Sequence, residues 1–527
     1  MVFQTLGFTQ KKDSLTPLHL FEKLKNVVFE RRPGFQRIME KYGGKSIAGY
    51  ADHFLEIKTN DVLEKRRAVC RKVIKEGLKK RLPEDVVENV DKQLEIKPLV
   101  STSDHHAICD HPSWINADII TALPYRNDPG LHLPYSLVLS FASVSQNNSF
   151  GYPRGIMFHG GESGEGELIR IPLLPDRIKM RTVYGSDPYT KKDLEKAKSL
   201  LLEKRKDGLI SQKRAEEVAL FINAELDTED ILSSPGFTTQ ITKINFHLWP
   251  KLFGNGPEKP HDLIYLDAET VVRDLLRSVI FSSPDSLLFR AIFDEKVRAL
   301  ILQYFDAIPG AFSTERDSGT YMFWGRNEKG YRLRMLPKRN TLVAEDDSFS
   351  IPLDVPSVTA ALTAKTIFPS AMLVYMTLSL YFGLKCLGGY CQVNNLARMR
   401  DVLQNILIDL GEEEEAQNLN KIQAKEFCGM GIVLAYLENS RGELTPATGI
   451  DLYLKKDKLS FKDYKNIASE LTVREMMDPI FPEMYKDFVP VSERDPELLT
   501  LSYEDIFQMT GLEQRLKNVF QEIIHES

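Results

Sequence analysis

Cysteine is scarce and scattered, with five residues at positions 70, 109, 386, 391 and 428 in a chain of 527. An odd number without close pairing excludes a disulfide framework and suits a reducing compartment. Cys386 and Cys391 have a spacing that zinc accepts, but no second close pair follows, so a glycine turn there is the simpler reading. Long apolar runs are also missing, apart from one. Thr366 to Leu384 carries no charge over nineteen residues, near the length of a bilayer span. Pro369, Ser370, Thr377 and Ser379 dilute it, which predicts a buried core helix and no membrane association. Met1 to Lys12 has no apolar targeting stretch, and neither an internal repeat nor a low-complexity tract occurs. A net charge of −6 argues against bulk nucleic-acid binding. These absences together lead to the expectation of a cytoplasmic globular protein.

What the chain does have is Thr102 to Trp114, TSDHHAICDHPSW, which packs Asp104, His105, His106, Asp110 and His111 into eight residues. Imidazole and carboxylate are the usual ligands of first-row metals, and a coordinating imidazole normally has its second nitrogen held by a carboxylate or carbonyl. The preceding residues from Lys97 read as a short strand, so the histidines fall at a strand end or on the loop after it. On an extended segment His105 and His106 point to opposite faces, so one serves as ligand while its neighbour supports or packs. Pro112 and Trp114 read as structural.

The triplet Asp104-His105-His106 after a strand resembles the Asp-His-His run of the DHH phosphoesterases, which hold divalent metal and cleave phosphate esters. The resemblance covers those three residues. Their acidic Asp-x-Asp strand end has no counterpart upstream, and their later Gly-Gly-His stands here as Gly388-Gly389-Tyr390.

Residues 13 to 95 read as helical: Ser14 to Leu18 offers capping chemistry and a first-turn proline, and Pro33-Gly34 breaks the first helix. Residues 96 to 260 change to strand-like runs, Ser136 to Ala142 and Glu167 to Leu174, with an amphipathic helical hairpin turning at Asp207-Gly208. Gly236 to Phe253 reads as strand, and Gly254 to Pro260 as a linker. Residues 261 to 527 form a mixed region around the apolar run, with Asp267 expected as a helix N-cap. A hairpin is expected over 320 to 344, turning at Asn327 to Gly330. The fold class is α+β, predominantly helical, with a central mixed or antiparallel β-rich segment.

The glycine-rich stretch after His159 carries Glu162 and Glu165, whose charge repels phosphate, so a nucleotide loop is excluded there. Directed donors for an anionic small molecule are Asn147, Asn148 and Arg154, with Arg332 and Arg334 on the hairpin near Trp324. A charged edge strand is the structural alternative for that hairpin. The first functional expectation is a metal-dependent hydrolase acting on an anionic small molecule. Zinc, manganese or iron would be held by some of Asp104, His105, His106, Asp110, His111 and His159, with His105, His106 and Glu162 as catalytic groups. The alternatives are a metal-free transferase or ligase with a histidine base and an arginine-rich anion site, and a non-catalytic binding protein.

Overall fold

Leu99–Ser101 runs parallel to both of its neighbours, with Ser101 opposite Leu387 on one side and Val138 on the other. The computed structural model describes residues 16–126, 135–161, 166–256, 258, 260–423, 425–439 and 441–526. The four-stranded parallel sheet runs in the order Lys385–Leu387, Leu99–Ser101, Tyr135–Ser140, Asp262–Asp267. Strand residues alternate faces. Val100, Leu137, Leu139, Ile264, Leu266 and Cys386 point into a large apolar core, shared with the helices Asp61–Lys79, Glu84–Ile96 and Ala268–Ser278. The opposite face carries Ser101, Ser140 and Tyr265, buried all the same. A parallel sheet covered on both faces has no solvent to hydrate such groups, so their partners must come from the protein.

The second sheet is antiparallel, five-stranded, in the order Ser350–Pro352, Thr341–Ala344, Arg332–Lys338, Phe323–Arg326, Ile367–Pro369. It contains the expected hairpin, with Arg326 opposite Arg332 and Gly330 in the left-handed region at the turn. The hairpin Gly155–His159 with Leu168–Pro172 adds antiparallel pairing to the histidine-bearing segment, which is therefore mixed. Helix dominates the rest, as expected, and none of the helices is long and apolar enough to cross a membrane among the described residues.

Three expectations are corrected. Phe237–Leu248 is a helix, not a strand; its β-branched and aromatic residues imitate a strand, but the buried Phe237, Ile241, Ile244 and Leu248 follow helical spacing. The uncharged run from Thr366 is buried but is not one helix. It pairs as the edge strand Ile367–Pro369, then turns helical at Ala371–Tyr375 behind a Ser370 cap, because Pro369 cannot sit inside a helix. Asp267 does occupy the N-cap position, yet no cap bond is made by its side chain. Its carboxylate faces Arg81 instead, at 2.8 Å.

The chain groups into two units. The larger, Lys45–Leu471, holds both sheets. Strands from either side of residue 260 join in its parallel sheet, Tyr135–Ser140 lying beside Asp262–Asp267. In the smaller unit, which joins residues up to Gly44 with those from Thr472, Phe21, Phe29 and Phe35 pack around Phe481 with ring centroids 5.4 to 6.1 Å apart.

Candidate functional site

Past the end of its strand, the chain stays extended beside Phe141: the Phe141 amide donates to the Asp104 carbonyl and the His106 amide to the Phe141 carbonyl, both at 2.8 Å. That extension sends Asp104 and His106 to one face and His105 to the other, as the alternation requires.

On the first face two acids meet. Tyr265, at mid-strand, donates its hydroxyl to Asp104 and lies 3.1 Å from an oxygen of Asp118. Ser103 donates to the other oxygen of Asp104, and the Cys109 thiol to Asp118 at 3.2 Å. Both carboxyls are fully buried, and neither has a cation partner among the described residues. Burial disfavours their charged forms. It pushes Asp104 up to about 7 and Asp118 well above the usual carboxylate range, the charge of Asp104 adding to the second shift. The pair therefore holds a proton near neutral pH, and the titration belongs to both acids.

His106 stands beside them, its ring 6.3 Å from that of Tyr265. Its Nε2 is 2.9 Å from the Thr238 carbonyl and its Nδ1 2.8 Å from the Ser140 hydroxyl. A carbonyl accepts only, so Nε2 carries the hydrogen and Nδ1 is the acceptor for Ser140. Burial lowers the imidazole to about 4, with the nearby Asp267 opposing. Asp267 lies two residues beyond Tyr265 on the same strand and opposite Ser140. Arg81 holds it strongly in its charged form, against the burial that opposes charge.

His105 turns away. Its Nδ1 meets the Phe150 carbonyl at 2.9 Å, and its ring packs edge-on against Trp114. His111 caps the helix Pro112–Ala122, accepting from Ser113, and its ring lies 4.4 Å from that of Phe150. Asp110 accepts from the Met157 amide, and His159 is bound to Asp451 at 2.6 Å. The six expected metal ligands are thus divided among separate partners. Among the described residues no group of three or more histidine, cysteine, aspartate or glutamate side chains is arranged to hold a metal ion.

The expected anion donors also separate. Asn148 closes a local turn onto Phe150 and Asn147 is exposed. Arg154 pairs with Asp176 at 3.0 Å, and Arg334 with Asp317. Arg332 stacks over Trp324 at 4.1 Å and donates to the Ser143 carbonyl. Glu162 lies outside the described residues. No protein-family model matches this chain, and no curated protein matches it.

Asp118, Tyr265 and Ser140 escape a reading by motif, because each stands alone among apolar neighbours. Asp118 had a usable signal: it is the lone charged residue in WINADIITAL, a mostly apolar stretch whose residues are all buried.

Proposed function

We infer that the chain is an enzyme that performs hydrolysis or group transfer on a small molecule by acid–base catalysis. Asp104 is the proton donor and Ser140 with His106 the nucleophile and base. The observation that carries this reading is the Asp104–Tyr265–Asp118 acid pair, buried without a cation at the carboxyl end of parallel strands. A purely structural core gains nothing from two such acids, whereas proton transfer needs a group that titrates near working pH. Carboxyl ends of parallel strands are also where ligands of α/β sheets gather.

Ser140, His106 and Asp104 are completely buried, so this mechanism requires the site to open; Ser140 Oγ then attacks the electrophilic centre while its proton passes to His106 Nδ1. The Thr238 carbonyl keeps the imidazole in the tautomer that can accept it. Protonated Asp104 gives its hydrogen to the departing group, and water or an acceptor then releases the group from Ser140. His105 and His111 support the wall formed by Trp114 and Phe150.

The test is a panel of phosphate-ester, carboxylate-ester and thioester substrates, both neutral and charged, assayed between pH 5 and 7. Activity that falls at least a hundredfold in both Asp104→Asn and His106→Gln, with both variants folded, is the expected result. Activity unchanged in either variant overturns the reading. So does stoichiometric metal in the native protein that vanishes from a folded variant lacking His105, His106 and His111, which would restore the metal-dependent hydrolase.

A further inference from the structure

A separate cavity opens where the hairpin turn meets the end of the helix Val355–Thr363. Its volume is about 700 Å³, and its lining includes Arg326, Lys329, Lys365, Tyr331 and Phe349. That size suits a small-molecule ligand. Among the described residues Glu328 is the one carboxylate of the lining.

The cations of the lining, Arg326, Lys329 and Lys365, are crowded and form no ion pair among the described residues, while Arg181 behind them pairs with Asp187 at 4.0 Å. Arg326 donates one bond, from Nη2 to the Gly185 carbonyl at 3.0 Å, while its buried Nε has no hydrogen-bond partner among the described residues. Neither Lys329 nor Lys365 has a carboxylate within ion-pair distance among the described residues. Arg181 stands behind Arg326, held by the Lys329 carbonyl at 2.9 Å. Burial lowers the affinity of Arg326 and of Lys365 for their protons, and the neighbouring cations Arg181 and Arg273 add to it, with Asp187 and Asp267 opposing. Like charges gathered this closely are relieved by an anion.

The backbone is bent to bring them in. Gly185 has φ +73°, and a side chain there would press on the Arg326 guanidinium at 3.0 Å. Lys365 follows the C-cap of its helix with φ 58°, the left-handed position that glycine normally takes. A lysine there is a local cost to folding without any ion pair to offset it.

We propose that this cavity binds a nucleotide, its phosphates held by Arg326, Lys329 and Lys365 and its base lying against Tyr331 and Phe349. Guanidinium and ammonium groups supply the charge-assisted hydrogen bonds that phosphates accept, and flat aromatic walls accept any base. This proposal stands on residues outside the acid–histidine cluster and holds whether or not that cluster is catalytic.

The experiment is calorimetric titration of the full chain with ATP, ADP and AMP, beside ribose 5-phosphate and inorganic phosphate. Saturable binding of ADP or ATP, at least tenfold tighter than ribose 5-phosphate, is expected. Lys365→Gly should weaken it at least tenfold while leaving the melting temperature equal or higher, because glycine removes the backbone cost. Arg326→Gln should weaken it likewise. Absence of saturable nucleotide binding overturns the proposal. Binding that is undiminished in both variants, or equally tight for ribose 5-phosphate, also overturns it.

Discussion

The hydroxyl of Tyr265 lies 3.1 Å from Asp118 while it gives its hydrogen to Asp104, so one phenol holds two buried acids together. Removing it leaves both acids short of a partner at once. Tyr265→Phe is expected to cost about 1–3 kcal/mol and to raise Asp104 further, since the phenol bond favours its charged form. Urea denaturation at two pH values checks both effects.

The same pair sets a pH dependence of stability. In the fold Asp104 keeps its proton up to about 7, against an ordinary value of 3.8. Its contribution is full below the lower value and is lost as pH rises through the upper one. Asp104→Asn should abolish that part of the decline, about 2–4 kcal/mol between pH 4 and pH 8. His106 works in the opposite direction, with about 4 in the fold against 6.5. Its contribution is full above 6.5 and is lost as pH falls through 4, so His106→Gln should flatten the acid side of the curve.

If these groups act in catalysis, the rate profile follows from them. Neutral His106 is needed as base and protonated Asp104 as acid, which gives a bell with limbs near pH 4 and pH 7. In Asp104→Asn the alkaline limb should disappear from whatever activity remains.

Lys385 and Glu426 pair at 3.1 Å inside the protein, and Lys385 also donates to the carbonyls of His53 and Glu56. Breaking a buried pair strands the remaining charge. Lys385→Met or Glu426→Gln alone should cost about 3–5 kcal/mol, and the double variant less than the sum. A double-mutant cycle by denaturant midpoints measures the difference.

Asp451 accepts from the His159 amide and ring and from the Thr448 amide and hydroxyl. Asp451→Ala leaves those donors unpaired and should lower stability by about 3 kcal/mol or more. Asp451→Asn should recover only part of it, because its NH2 cannot accept. Thermal melts of the two variants rank the losses.

Gly151 has φ +103°, and a methyl group there would overlap the Trp114 ring. Gly151→Ala should therefore unsettle the wall of Trp114, Phe150, His105 and His111, with a tryptophan emission change and a loss of about 2–4 kcal/mol.

Much of the local structure was legible in residue order. The hairpin turn at Asn327, the helical pair closing at Gly208 and the opposed directions of His105 and His106 follow from turn chemistry and periodicity, which act between near neighbours. The composition likewise pointed to a helix-rich α+β chain. Phe237–Leu248 misled because its residues suit a strand by type while their burial obeys a helix, and burial is decided by what packs on it.

The site divided along the same line. The sequence by itself determined that Asp104 to His111 is dense in titratable groups and that it begins at a strand end. Only the tertiary structure decided which of them face each other. Tyr265 and Asp118 stand 161 and 14 positions from Asp104 in the numbering, and strand register together with a helix laid across the sheet brings them to it. Long-range hydrogen bonds also claimed His105, Asp110 and His159 separately, while His111 caps its own helix. A buried polar group takes whichever partner the fold supplies, and sequence distance does not constrain that choice.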